Sequence, residues 1–247
     1  MARAGKPARV SCDRKDRCAI AIMAKAPRVG HAKTRLVPPL TAEDAATLSA
    51  CFIRDAAENI ATAAKQAAID GYIAFAPPDA EDEFQPLLPP ETRLLPSRRP
   101  GLGASLYDAA ADLLAAGYGS VCLVNSDSPT LPTSILVAAA QALSPPGDRL
   151  ILGPAEDGGY YLIGLKQAHR HLFEDIAWST PQVRAQTEER GREIDLATTM
   201  LPAWYDVDDI ASLRRLHGQL QQATDSPAIY PARHSSAFLQ SLFRERA

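Results

Sequence analysis

The 247-residue chain contains no apolar run able to cross a bilayer. Its longest uncharged stretch, residues 128–147, is broken by Pro129, Pro132, Pro145 and Pro146. A spanning helix needs about 20 mostly apolar residues without such breaks. Neither charge sign dominates: 26 Lys and Arg face 29 Asp and Glu, a formal net charge of −3. That balance argues against nucleic-acid binding through a basic face. Cysteine is scarce. Cys12, Cys18, Cys51 and Cys122 form no CxxC pair, which argues against a structural zinc site. Three of them fall in segments expected to be buried and read as free thiols. Several common motifs are missing. Lys33-Thr34 echoes the end of a P-loop, but Ala32 stands where that pattern needs Gly, and position 27 is not Gly either. No GxGxxG fingerprint and no GxSxG elbow occurs, which removes a dinucleotide fold of that type and the common serine hydrolases. His169, His171, His217 and His234 show no metal-like spacing with acids; His31 alone lies in a candidate site.

What remains is a composition of 46% apolar and 22% charged residues, ordinary for a globular protein. The length suits one domain built on one sheet. Residues 1–17 read as a flexible, charged arm, 18–224 as the folded domain, and 225–247 as a polar tail to which no element is assigned. The run Cys18 to Ala24 is barely long enough for a signal h-region and ends at Lys25. It reads as a strand buried on both faces, and the chain is expected to be cytoplasmic.

Strands are also expected at 72–76, 92–95, 120–125, 149–153, 160–165 and near 198–201. Thr41 to Asp44 forms a capping-box variant, and Leu48, Phe52, Ala56, Ile60 and Ala63 recur on one helical face. Further helices are expected at 106–115, 134–143 and about 210–222. Another should be capped by Thr180, with Pro181 at its first position. Strands alternating with helices imply an α/β fold with a mostly parallel sheet. Ligands of such sheets sit at the carboxyl ends of the strands. The loops after Ala24, after Asn125 and around Asp157 therefore matter most.

The first loop gathers Lys25, Arg28, Lys33 and Arg35 within eleven residues, with Gly30 among them. Such a cationic loop suits a di- or triphosphate; a solvated basic loop is the plainer reading. Asp127 follows the most apolar strand and can hold Mg²⁺ or Mn²⁺ against phosphate oxygens; it can equally form an Asx-turn or cap a helix. Glu156-Asp157-Gly158-Gly159 fits a hairpin turn, and either acid can serve as a general base. Asp206 and Asp208 alternate and so share one side of an extended chain. Paired carboxylates beside a phosphate site can bind a metal, and Asp208 or Asp209 can cap the next helix. Arg98 to Gly103, with Gly101 and Gly103, precedes a helix and can reach a base or phosphate; a turn explains it as well.

These residues, taken in order, resemble a bacterial family of glycosyltransferase candidates. The resemblance rests on Met23-Ala-Lys-Ala-Pro27 with Gly30 and Lys33-Thr-Arg35, Ser126-Asp-Ser-Pro129, Leu152-Gly-Pro-Ala-Glu-Asp-Gly-Gly-Tyr-Tyr-Leu-Ile-Gly164, Trp178-Ser-Thr-Pro181 and Asp206-Val-Asp208. That family is related to the guanylyltransferase of coenzyme F420 biosynthesis and is also named after radical-SAM and selenodomain neighbours. It implies a GT-A-like nucleotide-diphospho-sugar transferase fold, a three-layer sandwich around a mostly parallel sheet. By the resemblance, Ala24, Lys25, Gly30, Lys33 and Arg35 match the nucleotide loop and Asp127 the metal acid. Asp206 and Asp208 match the later acidic element, and Glu156 to Gly159 would line the acceptor side. Asn125 departs from the Asp-x-Asp pair usual in GT-A enzymes, and Arg98 to Gly103 matches only loosely.

The resulting expectation is a Mg²⁺- or Mn²⁺-dependent transferase of a nucleotide-activated sugar to a small-molecule acceptor, with Asp157 or Glu156 as base. The alternatives are an NTP-dependent, pyrophosphate-releasing nucleotidyltransferase similar to phospholactate guanylyltransferase, and a non-catalytic nucleotide-binding protein. No oligomeric interface is assigned from the sequence.

Overall fold

The computed structural model describes residues 14–222 and 228–245. Seven strands form one sheet: β1 (Cys18–Lys25), β2 (Ile69–Ala76), β3 (Arg93–Pro96), β4 (Ser120–Asn125), β5 (Leu150–Pro154), β6 (Tyr160–Leu165) and β7 (Thr198–Met200). Their order is β3-β2-β1-β4-β6-β5-β7. β6 is antiparallel to β4 and β5, and the other pairings are parallel. The helices are α1 (Ala42–Ala63), α2 (Glu81–Phe84), α3 (Leu102–Ala115), α4 (Thr133–Leu143), α5 (Val183–Glu193), α6 (Ile210–Gln222) and α7 (Arg233–Glu245).

β1 is apolar on both faces because both faces are covered. Ile20 and Ile22 pack with Ile53 and Ile60 of α1 and Leu136 of α4. Ala19 and Ala21 face Leu106 and Ala110 of α3 on the other side. Burying each isoleucine fully stabilises the fold by about 1.5–3 kcal/mol. α1 starts where its capping box places it: the Thr41 hydroxyl accepts from the Asp44 amide at 3.0 Å, and the Asp44 carboxylate accepts from the Thr41 amide at 3.3 Å. Such a cap contributes about 1 kcal/mol.

Two local expectations change. α5 starts at Val183, not Pro181. The Thr180 hydroxyl accepts from the Gln182 amide at 3.4 Å, in the turn before the helix, and donates to the Ala177 carbonyl at 2.7 Å. The first turn is drawn onto the β5–β6 hairpin, where the Arg184 amide donates to the Gly158 carbonyl at 3.1 Å. α3 also starts earlier, at Leu102 directly after Gly101.

Residues 1–13 of the expected arm lie outside the described residues. Of the remainder, Arg14–Asp16 form a short 3-10 turn, and Arg17 pairs with Asp70 at 2.6 Å. The segment read as a tail contains α7, whose Leu239 and Leu242 pack with Leu48 and Phe52 of α1 and Leu213 and Leu216 of α6. Tyr205 and Val207 are buried in the same cluster. Alternation along an extended chain then turns Asp206 and Asp208 away from it, towards the strand ends.

Candidate active site

The sheet order changes direction between β1 and β4, and a crevice opens at their carboxyl ends. β4 pairs with β1 only as far as Met23 opposite Asn125, whereas β2 follows β1 to Lys25. Ala24 lies in this last stretch; its side chain is buried in the core, so only its backbone can meet a ligand.

Just beyond β4, the Asn125 side-chain oxygen accepts from the Asp127 amide at 3.2 Å, and the Ser126 hydroxyl donates to the Asp127 carboxylate at 3.1 Å. Asn125, at the first position of the Asp-x-Asp spacing, therefore shapes the turn that presents Asp127. This loop is tied to the one before α6. The Val207 amide donates to the Asp127 carbonyl at 2.9 Å, and the Ser128 hydroxyl donates to the Tyr205 carbonyl at 3.0 Å.

Lys33 connects the two loops. Its ammonium lies 2.8 Å from Asp127 Oδ1 and 3.1 Å from Asp208 Oδ1, and donates to the Val207 carbonyl at 2.6 Å. Burial acts to lower its pKa, but the two carboxylates outweigh burial and hold it above the ordinary value. Asp206 shows the opposite effect. Burial, followed by the charges of Asp157, Asp208 and Asp127, pushes its carboxyl up to about 6. Two carboxylates thus meet the ammonium, and Asp206 and Asp157 extend the acid cluster beyond it.

Asp157 arrives on the β5–β6 hairpin, which fits the turn reading as well. The Ala155 amide donates to the Gly159 carbonyl at 3.1 Å, and the Gly159 amide donates to the Asp157 carboxylate at 2.8 Å. The hairpin is fastened to the acidic loop: the Glu156 amide donates to the Trp204 carbonyl and the Trp204 amide to the Pro154 carbonyl, each at 3.0 Å. The two candidate bases differ. Glu156 is held by both terminal nitrogens of Arg215 at 2.6 and 3.0 Å, and that contact lowers its pKa. The Arg215 guanidinium also lies 3.9 Å from the centre of the Tyr205 ring. Asp157, exposed, belongs to the acid cluster instead. Both acids, with Arg35, Asp206 and Asp208, line a cleft of about 450 Å³.

A second pocket, of about 510 Å³, brings Lys25, Arg28 and His31 together with Ser97 to Pro100. Three of its arginines are engaged: Arg28 with Glu83, Arg98 with Asp112 and Arg99 with Asp108. Lys25 and Arg35 are exposed and make no ion pair among the described residues. Gly30 lies exposed in the loop between them. Gly101 has φ +90° and precedes α3 with open space around it. Gly103 is different: a Cβ there would come within 2.7 Å of Trp178 Nε1 and 2.8 Å of the Phe173 carbonyl. It is a packing glycine for Trp178.

The oxygen donors of Asp127, Asp157, Asp206 and Asp208 suit a hard divalent cation such as Mg²⁺ or Mn²⁺. The chemistry of the donor set, carboxylate oxygens on loops joined by the Val207 amide and the Asp127 carbonyl, fits the ion. Among the described residues, Asp127, Asp206 and Asp208 do not draw one oxygen each to within 4.8 Å of one another, whereas Asp55, Glu58 and His234 do bring ligand atoms that close. That second group is explained by packing. Asp55 accepts from the His234 amide at 3.0 Å and from the Ser235 amide and hydroxyl at 2.8 and 2.5 Å, capping α7. His234 Nε2 lies 2.8 Å from Glu58.

Sequence reasoning missed Arg215 and Asp55. No local pattern pairs Arg215 with an acid 59 positions away. The Phe238, Leu239, Leu242 and Phe243 spacing is the helical signal that could have exposed α7 and with it Asp55.

The three-layer α/β fold with its seven-strand, mostly parallel sheet matches the folds of nucleotide-diphospho-sugar transferases and cytidylyltransferases. A crystal structure of a candidate nucleotide-diphospho-sugar transferase from Desulfovibrio desulfuricans G20 matches with a TM-score of 0.79 at 28% identity, over 92% of this chain and 97% of that one. A cytidylyltransferase from Leptospira borgpetersenii matches at 0.55 and 11% identity, over 93% and 95%. The 4-diphosphocytidyl-2C-methyl-D-erythritol synthase of Anaerococcus prevotii DSM 20548 matches at 0.54 and 10% identity, over 84% and 100%. No curated protein matches the sequence. The chain belongs to the family described as an uncharacterized protein conserved in bacteria (DUF2064), matched over residues 56–180. Asp127, Glu156 and Asp157 fall inside that span, and Lys33, Asp206 and Asp208 fall outside it. Among the described residues, no helix is long and apolar enough to cross a membrane.

Proposed function

We propose that the protein is a Mg²⁺- or Mn²⁺-dependent transferase that moves a sugar from a nucleotide-activated donor to a small-molecule acceptor. The observation that carries this reading is the meeting of Asp127, Asp157, Asp206 and Asp208 at the carboxyl ends of β1 and β4. The similarity to the Desulfovibrio desulfuricans protein supports the choice of donor class. Asp127, Asp206 and Asp208 would hold the cation. When bound, it would offset charge developing on the leaving diphosphate. Lys25 and Arg35, exposed cations of the first loop with no ion-pair partner among the described residues, would meet the diphosphate. The Ala24 backbone, Gly30 and Gly101 border that path. Asp157 would accept the proton of the acceptor hydroxyl. Glu156, committed to Arg215, would line the acceptor side. Free thiols at Cys18, Cys51 and Cys122 are in keeping with a reducing cytoplasm.

The nucleotidyltransferase reading is favoured by one observation: a pocket of about 510 Å³ lined by Lys25, Arg28, Arg98 and Arg99 serves a triphosphate equally well. Thermal unfolding with a panel of NDP-sugars and NTPs, each with and without Mn²⁺ or Mg²⁺, separates the two. A ligand at 100 times its Kd stabilises by about 2.7 kcal/mol, a rise of about 5–10 °C at this size. The expected result is a metal-dependent rise with one NDP-sugar. A rise with NTPs alone would transfer the assignment to nucleotidyl transfer, and no rise with any ligand would overturn both.

A further inference from the structure

We infer that Lys33 is the resident counter-ion of Asp127 and Asp208 and competes with a divalent cation for their oxygens. This rests on the reading of those acids as cation-holding residues.

The setting of Lys33 is that of an interior cation, not of a surface ion pair. Its side chain is 7% exposed. An ammonium has three protons, and Lys33 has three oxygen acceptors, at 2.6, 2.8 and 3.1 Å. The Phe52 ring centre lies 5.2 Å from the nitrogen, within cation–π range. The backbone at Lys33 is left-handed, with φ 47° and ψ 39°, a conformation unfavourable for a residue with a Cβ. The two acids come from loops joined by the Val207 amide and the Asp127 carbonyl at 2.9 Å, so the lysine closes a junction that already exists. Both acids turn Oδ1 to the ammonium. A cation drawing on the same oxygens meets the Lys33 charge directly, and the like charges repel.

This reverses the usual expectation for a lysine in a phosphate loop. A lysine serving only the donor phosphates has no bearing on the affinity for a bare metal ion. A resident counter-ion does: its removal frees two carboxylates and raises that affinity. We therefore expect Lys33→Met to bind Mn²⁺ alone at least about tenfold more tightly than the wild-type chain. Lys33→Arg retains the charge and should remain near wild type. Asp127→Asn should weaken Mn²⁺ binding in both the wild-type and the Lys33→Met background.

The measurement is the electron paramagnetic resonance signal of free Mn²⁺ titrated with the full chain at pH 7.5, without nucleotide. Lys33→Gln, which still donates hydrogen bonds, carries the same expectation as Lys33→Met if the latter does not fold. Equal or weaker Mn²⁺ binding by the neutral variants, with loss in Asp127→Asn, would overturn the role of Lys33 and leave the cation site standing. Unchanged binding in Asp127→Asn would overturn the cation site itself. Absence of Mn²⁺ binding in every variant would overturn both.

Discussion

Replacing Asp206 with Asn removes a charge from a half-buried position crowded by other carboxylates. Burial and the charges of Asp157, Asp208 and Asp127 push the Asp206 carboxyl from 3.8 up to about 6. Taken in full, that rise means the ionised form destabilises the folded chain by about 3 kcal/mol. Water reaches part of the side chain, so about half of it, roughly 1–2 kcal/mol, is the sounder figure. The sign follows from the direction of the shift. Below about pH 3.8 the carboxyl is protonated whether the chain is folded or not, and nothing is lost. Between about 3.8 and 6 the unfolded chain has released the proton and the folded chain retains it, so stability falls as pH rises through the folded-state value. Above about 6 the whole loss is present. Asn carries no charge at any of these values. The Asp206→Asn variant should therefore be more stable than wild type at pH 7.5, by about 1–2 kcal/mol or about 2–8 °C in Tm. The gain should shrink as the pH is lowered towards 4. Differential scanning calorimetry at the two pH values, with a chelator present, measures it. A less stable variant at pH 7.5, or a gain of equal size at both pH values, would refute the electrostatic argument. The same variant should bind Mn²⁺ more weakly, since a residue held under repulsion for a ligand trades stability for function.

Three further predictions follow from contacts around the site. Asp157→Asn should lower turnover by about 10²–10⁴-fold with donor binding retained, the range expected for a general base, whereas Glu156→Gln should keep turnover within an order of magnitude; steady-state kinetics with an identified donor and acceptor compares them, and the reverse pattern would exchange their roles. Gly103→Ala drives a Cβ into Trp178 and the Phe173 carbonyl and should cost about 1–3 kcal/mol of stability with donor affinity unchanged; a binding loss without a stability loss, measured by calorimetry and urea unfolding, would return Gly103 to the nucleotide site. Asp55→Ala strips the cap from α7, leaves the amides of His234 and Ser235 without their acceptor, and should cost about 2–4 kcal/mol in urea unfolding; a change under about 0.5 kcal/mol would mean that α7 is held by its apolar face alone.

What could be read from the sequence was whatever is encoded within a few residues. The Thr41 and Asp44 capping box, the apolar run of β1 and the start of α6 depend on neighbours in the chain, and the structure has them. The acids at strand ends were visible because an α/β sheet places its ligands there. Contacts that join distant segments were not visible. The commitment of Lys33 to Asp208 spans 175 positions and that of Asp55 to Ser235 spans 180. The start of α5 shows the same limit on a small scale: Thr180 and Pro181 are sound helix-start residues, and the hairpin at Gly158 overrides them.

That distinction changes the meaning of the basic loop. Lys25, Arg28, Lys33 and Arg35 look like one patch of four charges in sequence. In the fold, Arg28 faces Glu83 and Lys33 faces Asp127 and Asp208. The Arg98 and Arg99 charges across the pocket are likewise engaged, by Asp112 and Asp108. On the proposed function, Lys25 and Arg35 are left to meet a diphosphate, beside a cluster of four carboxylates that repels it. These two exposed cations do not outweigh that repulsion. A divalent cation bound by the acids cancels most of the negative charge that Lys33 leaves on the cluster, so that Lys25 and Arg35 then outweigh what remains. The metal dependence expected of donor binding therefore follows from how the local charges are paired, and it should persist at salt concentrations that screen Lys25 and Arg35.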